Sequence, residues 1–207
     1  MRLLECVPNI SEGRDQDKIA SIAEEVRKHK GIRLLDYSSD RDHHRSVFTF
    51  IGDPEAIQEA AFSFTMKALD LIDMREHKGG HPRLGAVDVI PFVPIQGVEM
   101  EEAVQIAHEF GKDLGKRGIP VFFYEEAAIR PERKDLPSIR RGEYEGLAEK
   151  MKDPGLLGGS VARLCPGGRR CSSDGQTEEY SDELRERAVP RLSSSFRRGR
   201  PSARTGR

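Results

Sequence analysis

The chain has 207 residues with 34 basic and 35 acidic side chains, room for one domain and a tail or two small domains. So balanced a charge gives no whole-chain field pointing to nucleic acid, an anionic membrane or an acidic substrate. Hydrophobic residues make up 36%, enough for a packed core, and no stretch approaches the roughly 18 to 20 apolar residues of a transmembrane helix.

Residues 3–7 form a short apolar run ended by Pro8-Asn9 and Ser11-Glu12-Gly13, the pattern of a buried strand running into a turn. Ile19, Ile22, Ala23 and Val26 then recur on one helical face, with Asp15 and Asp17 at the positive end, so residues 15–30 predict a first helix that Gly31 stops. Residues 32–37 and 47–51 read as two strands paired in a hairpin across the polar stretch 38–45. Asp53-Pro54 is an N-cap followed by N1, and Ile57, Ala60, Ala61, Phe64, Ala68 and Leu71 continue along one face of a second helix.

Three glycines and a proline interrupt the next segment, IDMREHKGGHPRLGA, which predicts a loop, and VDVIPFVPI after it predicts a buried strand. Ala103, Ile106, Ala107, Phe110 and Leu114 make a helical stripe within 99–116, and the apolar run 119–124 predicts another strand. Residues 136–151 predict a last helix with Ile139, Leu147 and Met151 inward, weakened by Gly142 and Gly146 at about 1 kcal/mol each relative to alanine. The first six elements run strand, helix, strand, strand, helix, strand. That order predicts an α+β plait, a ferredoxin-like split βαβ sheet with helices packed mainly on one face. The other sheet face is left for a partner, a second subdomain or the last helix.

The composition breaks near residue 153. All ten lysines lie at or before Lys152, whereas 11 of the 24 arginines lie in 154–207. Residues 1–153 carry a net charge of −6 and the remainder +5. Gly, Pro and Ser supply 20 of the last 54 residues and hydrophobic side chains only 14, too few to offset the entropy of ordering. We expect a folded domain over 1–153 and a disordered or foreign Arg/Gly/Ser-rich tail over 154–207. Arg198-Gly199-Arg200-Pro201 spells the core of an AT-hook-like arm, but four residues in an Arg-rich tail carry little information, and no nucleic-acid partner is expected. Three cysteines, Cys6, Cys165 and Cys171, form no even disulfide framework, and the start MRLLECVPNI lacks the regions of a signal peptide. A soluble protein of the reducing cytoplasm, with no membrane partner, is the expectation.

The richest chemistry lies in EHKGGHPRLG, where two imidazoles, two cations and a carboxylate sit beside backbone hinges. Either His77 or His81 can donate and accept protons near neutral pH. On spacing alone a solvated loop histidine, contributing little to the core, is the commoner outcome. A metal site is disfavoured, because the 77/81 spacing suits a helix that Gly79, Gly80 and Pro82 oppose, and the second cluster (Asp40, Asp42, His43, His44) lies elsewhere in the sequence. Cys6 sits in an apolar strand, the setting of an inert thiol. No phosphate-binding or nucleophile-elbow motif occurs.

The segments LLECVPNISEG, LLDYSSDRDHHRSVFTFIGDPEAI, LIDMREHKGGHPRLGAVDVIPFVPI and LPSIRRGEYEGL, taken together, closely resemble the N-terminal subdomain of glutamate formiminotransferases of the formiminotransferase-cyclodeaminase type. The likeness covers roughly residues 2–152 in constant order, and the block H-K-G-x-H-P-R-x-G-A-x-D is highly specific. The resemblance implies a folate-dependent transfer of the formimino group from N-formimino-L-glutamate to N5 of tetrahydrofolate, in histidine catabolism and one-carbon metabolism, with tetrahydrofolate as co-substrate and no metal. It places the family's catalytic histidine on His81 and leaves His77 a supporting role. By charge, Lys78, Arg83 and Arg45 are candidates for holding substrate carboxylates. Asn9, Asp36 and Asp40, read as lying at strand ends or in the following loops, are candidates for orienting the imidazole or binding the amidine. For these three, turn capping and solvated charge are equally good readings. The resemblance stops after Met151: no second subdomain follows, and the folate-contacting segment that joins the two halves has no counterpart in KDPGLLGGSVARLCPGG. Two functional expectations follow. One is a transferase whose second subdomain comes from a homo-oligomer or a separate chain; the other is a noncatalytic stand-alone binding or assembly module.

Overall fold

The computed structural model describes residues 1–150 and 191–194; of the tail expected to be disordered only 191–194 are described, and they form a strand, while the AT-hook-like arm, Cys165 and Cys171 lie outside the described residues. The elements are β1 (Leu3–Cys6), β2 (Asn9–Ile10), α1 (Gln16–Arg27), β3 (Ile32–Asp40), β4 (Arg45–Gly52), α2 (Pro54–Leu71), β5 (Val87–Gln96), α3 (Met100–Lys116), β6 (Phe122–Phe123), the short helices α4 (Leu136–Arg140) and α5 (Leu147–Lys150), and β7 (Arg191–Ser194). Val7-Pro8 interrupts the first strand, so β1 and β2 lie end to end between the same neighbours, β4 and β5, antiparallel to both. With β3 antiparallel on the far side of β4, the order is β3-β4-(β1, β2)-β5. This is the ferredoxin-like plait, extended beyond β5 by β7 and β6 in parallel.

The helices form where cap and stripe coincide. Asp15 accepts from the amides of Asp17 and Lys18 to start α1, and Asp53 accepts from that of Glu55 ahead of Pro54 to start α2. Their apolar stripes and that of α3 meet the inward side chains of the strands in one core, including Leu4, Cys6, Phe48, Phe50, Phe64, Phe92 and Phe110. Strand side chains alternate between faces, so Val89, next to the inward Ile90 on β5, belongs instead to a second cluster with Leu84, Phe122, Tyr124, Ile139 and Leu147. The segment carrying α4 and α5 therefore caps the β5 side of the face opposite the three long helices. Leu35 on β3 and Ile95 on β5 remain 45% and 52% exposed.

Three local expectations change. The hairpin strands run on to Asp40 and start at Arg45, leaving only residues 41–44 as the connection; Asp36 is therefore inside β3 and not at a strand end. The run 119–124 yields a strand of two residues, because Pro120 supplies no amide to a ladder. The helix expected over 136–151 breaks into α4 and α5 at Gly142 (φ +83°) and Glu143 (φ +50°), two successive left-handed residues that no helix accommodates. Met151 lies outside the described residues.

Candidate functional site

Register gathers the site. Ile10 pairs with Ser46 near the start of β4 and with Val87 at the start of β5. The turn after β2, the tip of the β3–β4 hairpin and the loop entering β5 therefore meet at one end of the sheet. Hydrogen bonds lock them: Ser11 donates its amide to Ala86 O (2.9 Å) and its hydroxyl to Gly85 O (2.7 Å), and the Ser46 hydroxyl donates to Glu12 O. Two glycines permit the approach. A Cβ on Gly13 would stand 2.2 Å from Asp40 O, and one on Gly79 would stand 2.5 Å from His43 O, separations that only glycine tolerates.

Between these turns lies a stack of two imidazoles, His44 on His77, with ring centroids 4.4 Å apart. His44 is held at φ +52°, and its Nδ1 accepts the Gly13 amide at 3.0 Å. His77 Nε2–H donates to His44 O (3.0 Å) while its Nδ1 accepts from Arg83 Nε–H (3.1 Å). Both ring nitrogens of His77 are thus engaged by protein, which assigns it the neutral Nε2–H tautomer. Burial pushes the pKa of both imidazoles down, against the pull of Glu12 on His44 and of the bond to His44 O on His77; Arg14 adds to the lowering of both, and Arg83 to that of His77. Glu12, buried itself, accepts the amides of Arg14 and Asp15.

His81 stands apart from that stack. It is 7% exposed, and its Nε2 is buried, 3.5 Å from Oδ2 of the fully buried Asp88, with no hydrogen bond among the described residues. Asp88 Oδ1 accepts the Leu84 amide (3.0 Å) and Oδ2 accepts Arg140 Nη2–H (2.5 Å). Neither loop histidine is the solvated side chain that spacing alone favours. His77 is a linchpin with no free lone pair, whereas His81 is an imidazole backed by a carboxylate, the arrangement that can move a proton.

The other candidates divide. Arg83, 6% exposed, spends its guanidinium on His77, Glu143 (2.8 Å) and Glu145 (2.7 Å), anchoring the loop to the α4–α5 turn. Those contacts, the Glu145 hydrogen bond foremost, pull the Glu145 carboxyl below its usual range. Lys78 is exposed on the rim of an open cleft of about 500 Å³, lined also by His77, Gly79, Arg83, Gly142, Glu143 and Glu145. Asp40 ends β3 and caps the hairpin tip, accepting the amides of Asp42 and His43 at 2.9 Å and facing His43 Nδ1 at 2.8 Å. Arg45, opposite it, has a buried Nε with no hydrogen bond among the described residues. Asn9 sits between Val47 and Val89 at mid-sheet, its Nδ2 donating to Val7 O. Asp36 is exposed and four residues from the tip, about 13 Å along the strand, outside the cluster.

Adjacent His43 and His44 diverge, one to Asp40 and the other to Glu12 and His77. Among the described residues no three His, Cys, Asp or Glu side chains are grouped to hold a metal ion, and no helix is long and apolar enough to cross a membrane. Burial raises the Cys6 thiol well above its ordinary pKa, and Glu5 adds to that, so it is no nucleophile. Roles for Asp88, Arg140, Glu12 and the Glu143–Glu145 pair are absent from the sequence reading. Asp88 alone had a visible signal, a carboxylate inside the apolar run VDVIPF.

The model of the formiminotransferase domain, N-terminal subdomain, matches residues 3–163, ten residues past the compositional break. The chain is 50% identical over 153 residues to a formimidoyltransferase-cyclodeaminase of Dictyostelium discoideum, covering 73% of this chain and 28% of that protein. It is 46% identical over 151 residues to a glutamate formimidoyltransferase of Streptococcus pyogenes serotype M1, covering 72% of this chain and 50% of that one. A glutamate formimidoyltransferase of Thermoplasma acidophilum is 47% identical over 156 residues, 74% of this chain and 52% of that one. The chain thus spans about half the length of the single-function relatives it matches.

Proposed function

The chain belongs to the family of the formiminotransferase N-terminal subdomain, and from that premise we propose that it is the proton-transferring half of a glutamate formiminotransferase. Its substrates are N-formimino-L-glutamate and tetrahydrofolate, in the cytoplasmic breakdown of histidine. The observation that carries this reading is His81, a buried imidazole on a loop anchored at Gly79, His77 and Arg83, with Asp88 behind its Nε2.

The reaction needs one group that accepts a proton and returns it. N5 of tetrahydrofolate attacks the amidine carbon, the N5–C bond forms, and the proton leaving N5 passes to neutral His81. The tetrahedral adduct then breaks its bond between carbon and the glutamate nitrogen, which takes the proton back from the imidazolium. Products are 5-formiminotetrahydrofolate and glutamate, with His81 restored. A positioned imidazole contributes about 10² to 10⁴ to such steps. Lys78, exposed on the cleft rim, and Arg45, with its unbonded buried Nε, supply charge for substrate carboxylates; Arg83 holds the loop. Asn9 lies on the sheet face opposite the long helices, where it can meet the folate side of the pair, and Asp40 fixes the hairpin tip beside the site. No metal takes part in these steps.

The chain spans half the length of its single-function relatives, and in this reading the second half of the site is supplied by a second subdomain, which the assays below provide as a separate chain. The competing reading is a noncatalytic binding or assembly module. The two separate in one assay: purified chain with N-formimino-L-glutamate and tetrahydrofolate, alone and with a relative's second subdomain, following 5-formiminotetrahydrofolate. Product on complementation supports the transferase. Binding of the second subdomain without product supports the module.

A further inference from the structure

We propose that Asp88 and Arg140 are positioning residues that lock the His81 ring with its proton on Nε2, leaving Nδ1 as the atom that exchanges protons with substrate. The inference rests on the reading of His81 as proton carrier and adds the device that orients it.

Asp88 is fully buried within the apolar start of β5. A carboxylate there needs strong compensation, and a hydrophobic side chain of similar size is often as stable or more so. Its placement is specific. The pairing of β2 with β5 steps from Asn9↔Val89 to Ile10↔Val87, leaving Asp88 at an irregularity, and such bulges re-aim side chains beside sites. The carboxylate is then held from two directions, Oδ1 by the Leu84 amide at 3.0 Å and Oδ2 by Arg140 Nη2–H at 2.5 Å. Arg140 reaches it from the last turn of α4, directly before the Gly142 break, and supplies the positive charge that a buried anion requires.

Oδ2 also faces His81 Nε2 at 3.5 Å. An ionised carboxylate only accepts hydrogen bonds, so the nitrogen facing it must carry the hydrogen and the lone pair falls to Nδ1. The separation exceeds a hydrogen bond, as in many ligand-free sites whose catalytic hydrogen bonds tighten only with substrate bound. When Nδ1 takes the proton from N5, the anion already stands behind the new imidazolium.

Histidine-selective ¹⁵N NMR of the full chain, about two pH units above the ordinary imidazole value, reads the tautomer directly and needs no substrate. The parent should show His81 as Nε2–H. Asp88→Asn removes the negative charge that faces Nε2 and cannot keep acceptors for both the Leu84 amide and Arg140, so the preference for Nε2–H should be lost and Nδ1–H should appear. With the second subdomain supplied, kcat of Asp88→Asn should fall at least 10²-fold at unchanged KM; amidating the carboxylate behind a catalytic imidazole costs about 10⁴ where the wrong tautomer results. Should Asp88→Asn not fold, Arg140→Met tests the same lock: it should lower the Nε2–H population of His81, and Arg140→Lys should restore it. The same tautomer in the parent and in the folded variants overturns the proposal and leaves His81 free to act through another orienting group. Failure of the transferase reading would show instead as no product from the parent, with the tautomer result intact.

Discussion

Gly79→Ala isolates the contact on which the site's assembly depends. The added Cβ would stand 2.5 Å from His43 O and 2.6 Å from His44 Cβ. The first obstacle is backbone carbonyl and the second is the root of a side chain stacked on His77, so neither swings aside, and the loop must withdraw from the hairpin tip. Withdrawal strains the bond from His77 Nε2–H to His44 O (3.0 Å) and that from the Gly80 amide to Asp42 O (3.3 Å), each worth about 1 kcal/mol. Overpacking adds about 1 to 3 kcal/mol, and with partial retention of the bonds the sum is about 2 to 4 kcal/mol. For a chain of this size that lowers Tm by about 5 to 15 °C. Gly80→Ala is the control, since its nearest neighbour, Asp42 O, is 3.9 Å away, and it should stay within about 0.5 kcal/mol of the parent. Urea and thermal unfolding followed by circular dichroism measure both. Equal losses at 79 and 80, or a Gly79→Ala protein as stable as the parent, would refute the argument that close approach of these two loops builds the site.

Acid should weaken the fold through the stacked histidines. Burial holds His44 and His77 below the ordinary imidazole value of 6.5, so the unfolded chain binds their protons more readily. The stability they contribute is complete above about pH 6.5 and is lost as pH falls through their lower folded values; a urea midpoint that is flat or rises on acidification from pH 7 to about 5 would contradict this. His77→Ala removes bonds to His44 O and Arg83 together with a buried ring, and we expect a loss of about 2 to 3 kcal/mol, a named class of large effect; a change under about 0.5 kcal/mol would show His77 to be dispensable to the fold. Leu35 and Ile95, exposed among the described residues, should bind a hydrophobic dye and drive concentration-dependent association, checked by sedimentation; an ideal monomer without dye binding at high concentration would count against this.

The three long helices were legible because each has its own stripe, which marks its face, and for α1 and α2 an acidic residue, Asp15 or Asp53, marks the N-terminal end. Strand order followed from the alternation of elements, since the split βαβ arrangement leaves few ways to close one sheet. The sequence block pointed to the loop that carries His81, while the groups that loop meets in the fold were not legible. Asp88 and Arg140 are 52 residues apart, and Arg83 and Glu145 are 62 apart; pairings at such separations leave no periodic trace. Composition weakened the last helix through Gly142 but could not show that the break at Gly142 and Glu143 delivers Arg140, Glu143 and Glu145 to the loop. Nor does the adjacency of His43 and His44 show that the left-handed backbone at His44 sends the two rings to different partners.

The most direct test of the central claim is the rate of 5-formiminotetrahydrofolate formation by the complemented chain, parent against His81→Ala, at saturating N-formimino-L-glutamate and tetrahydrofolate. His81→Ala should remain folded and bind the second subdomain as the parent does, with kcat lowered by about 10² to 10⁴. A folded, complemented His81→Ala chain that turns over at the parent's rate would show that the proton moves through another group.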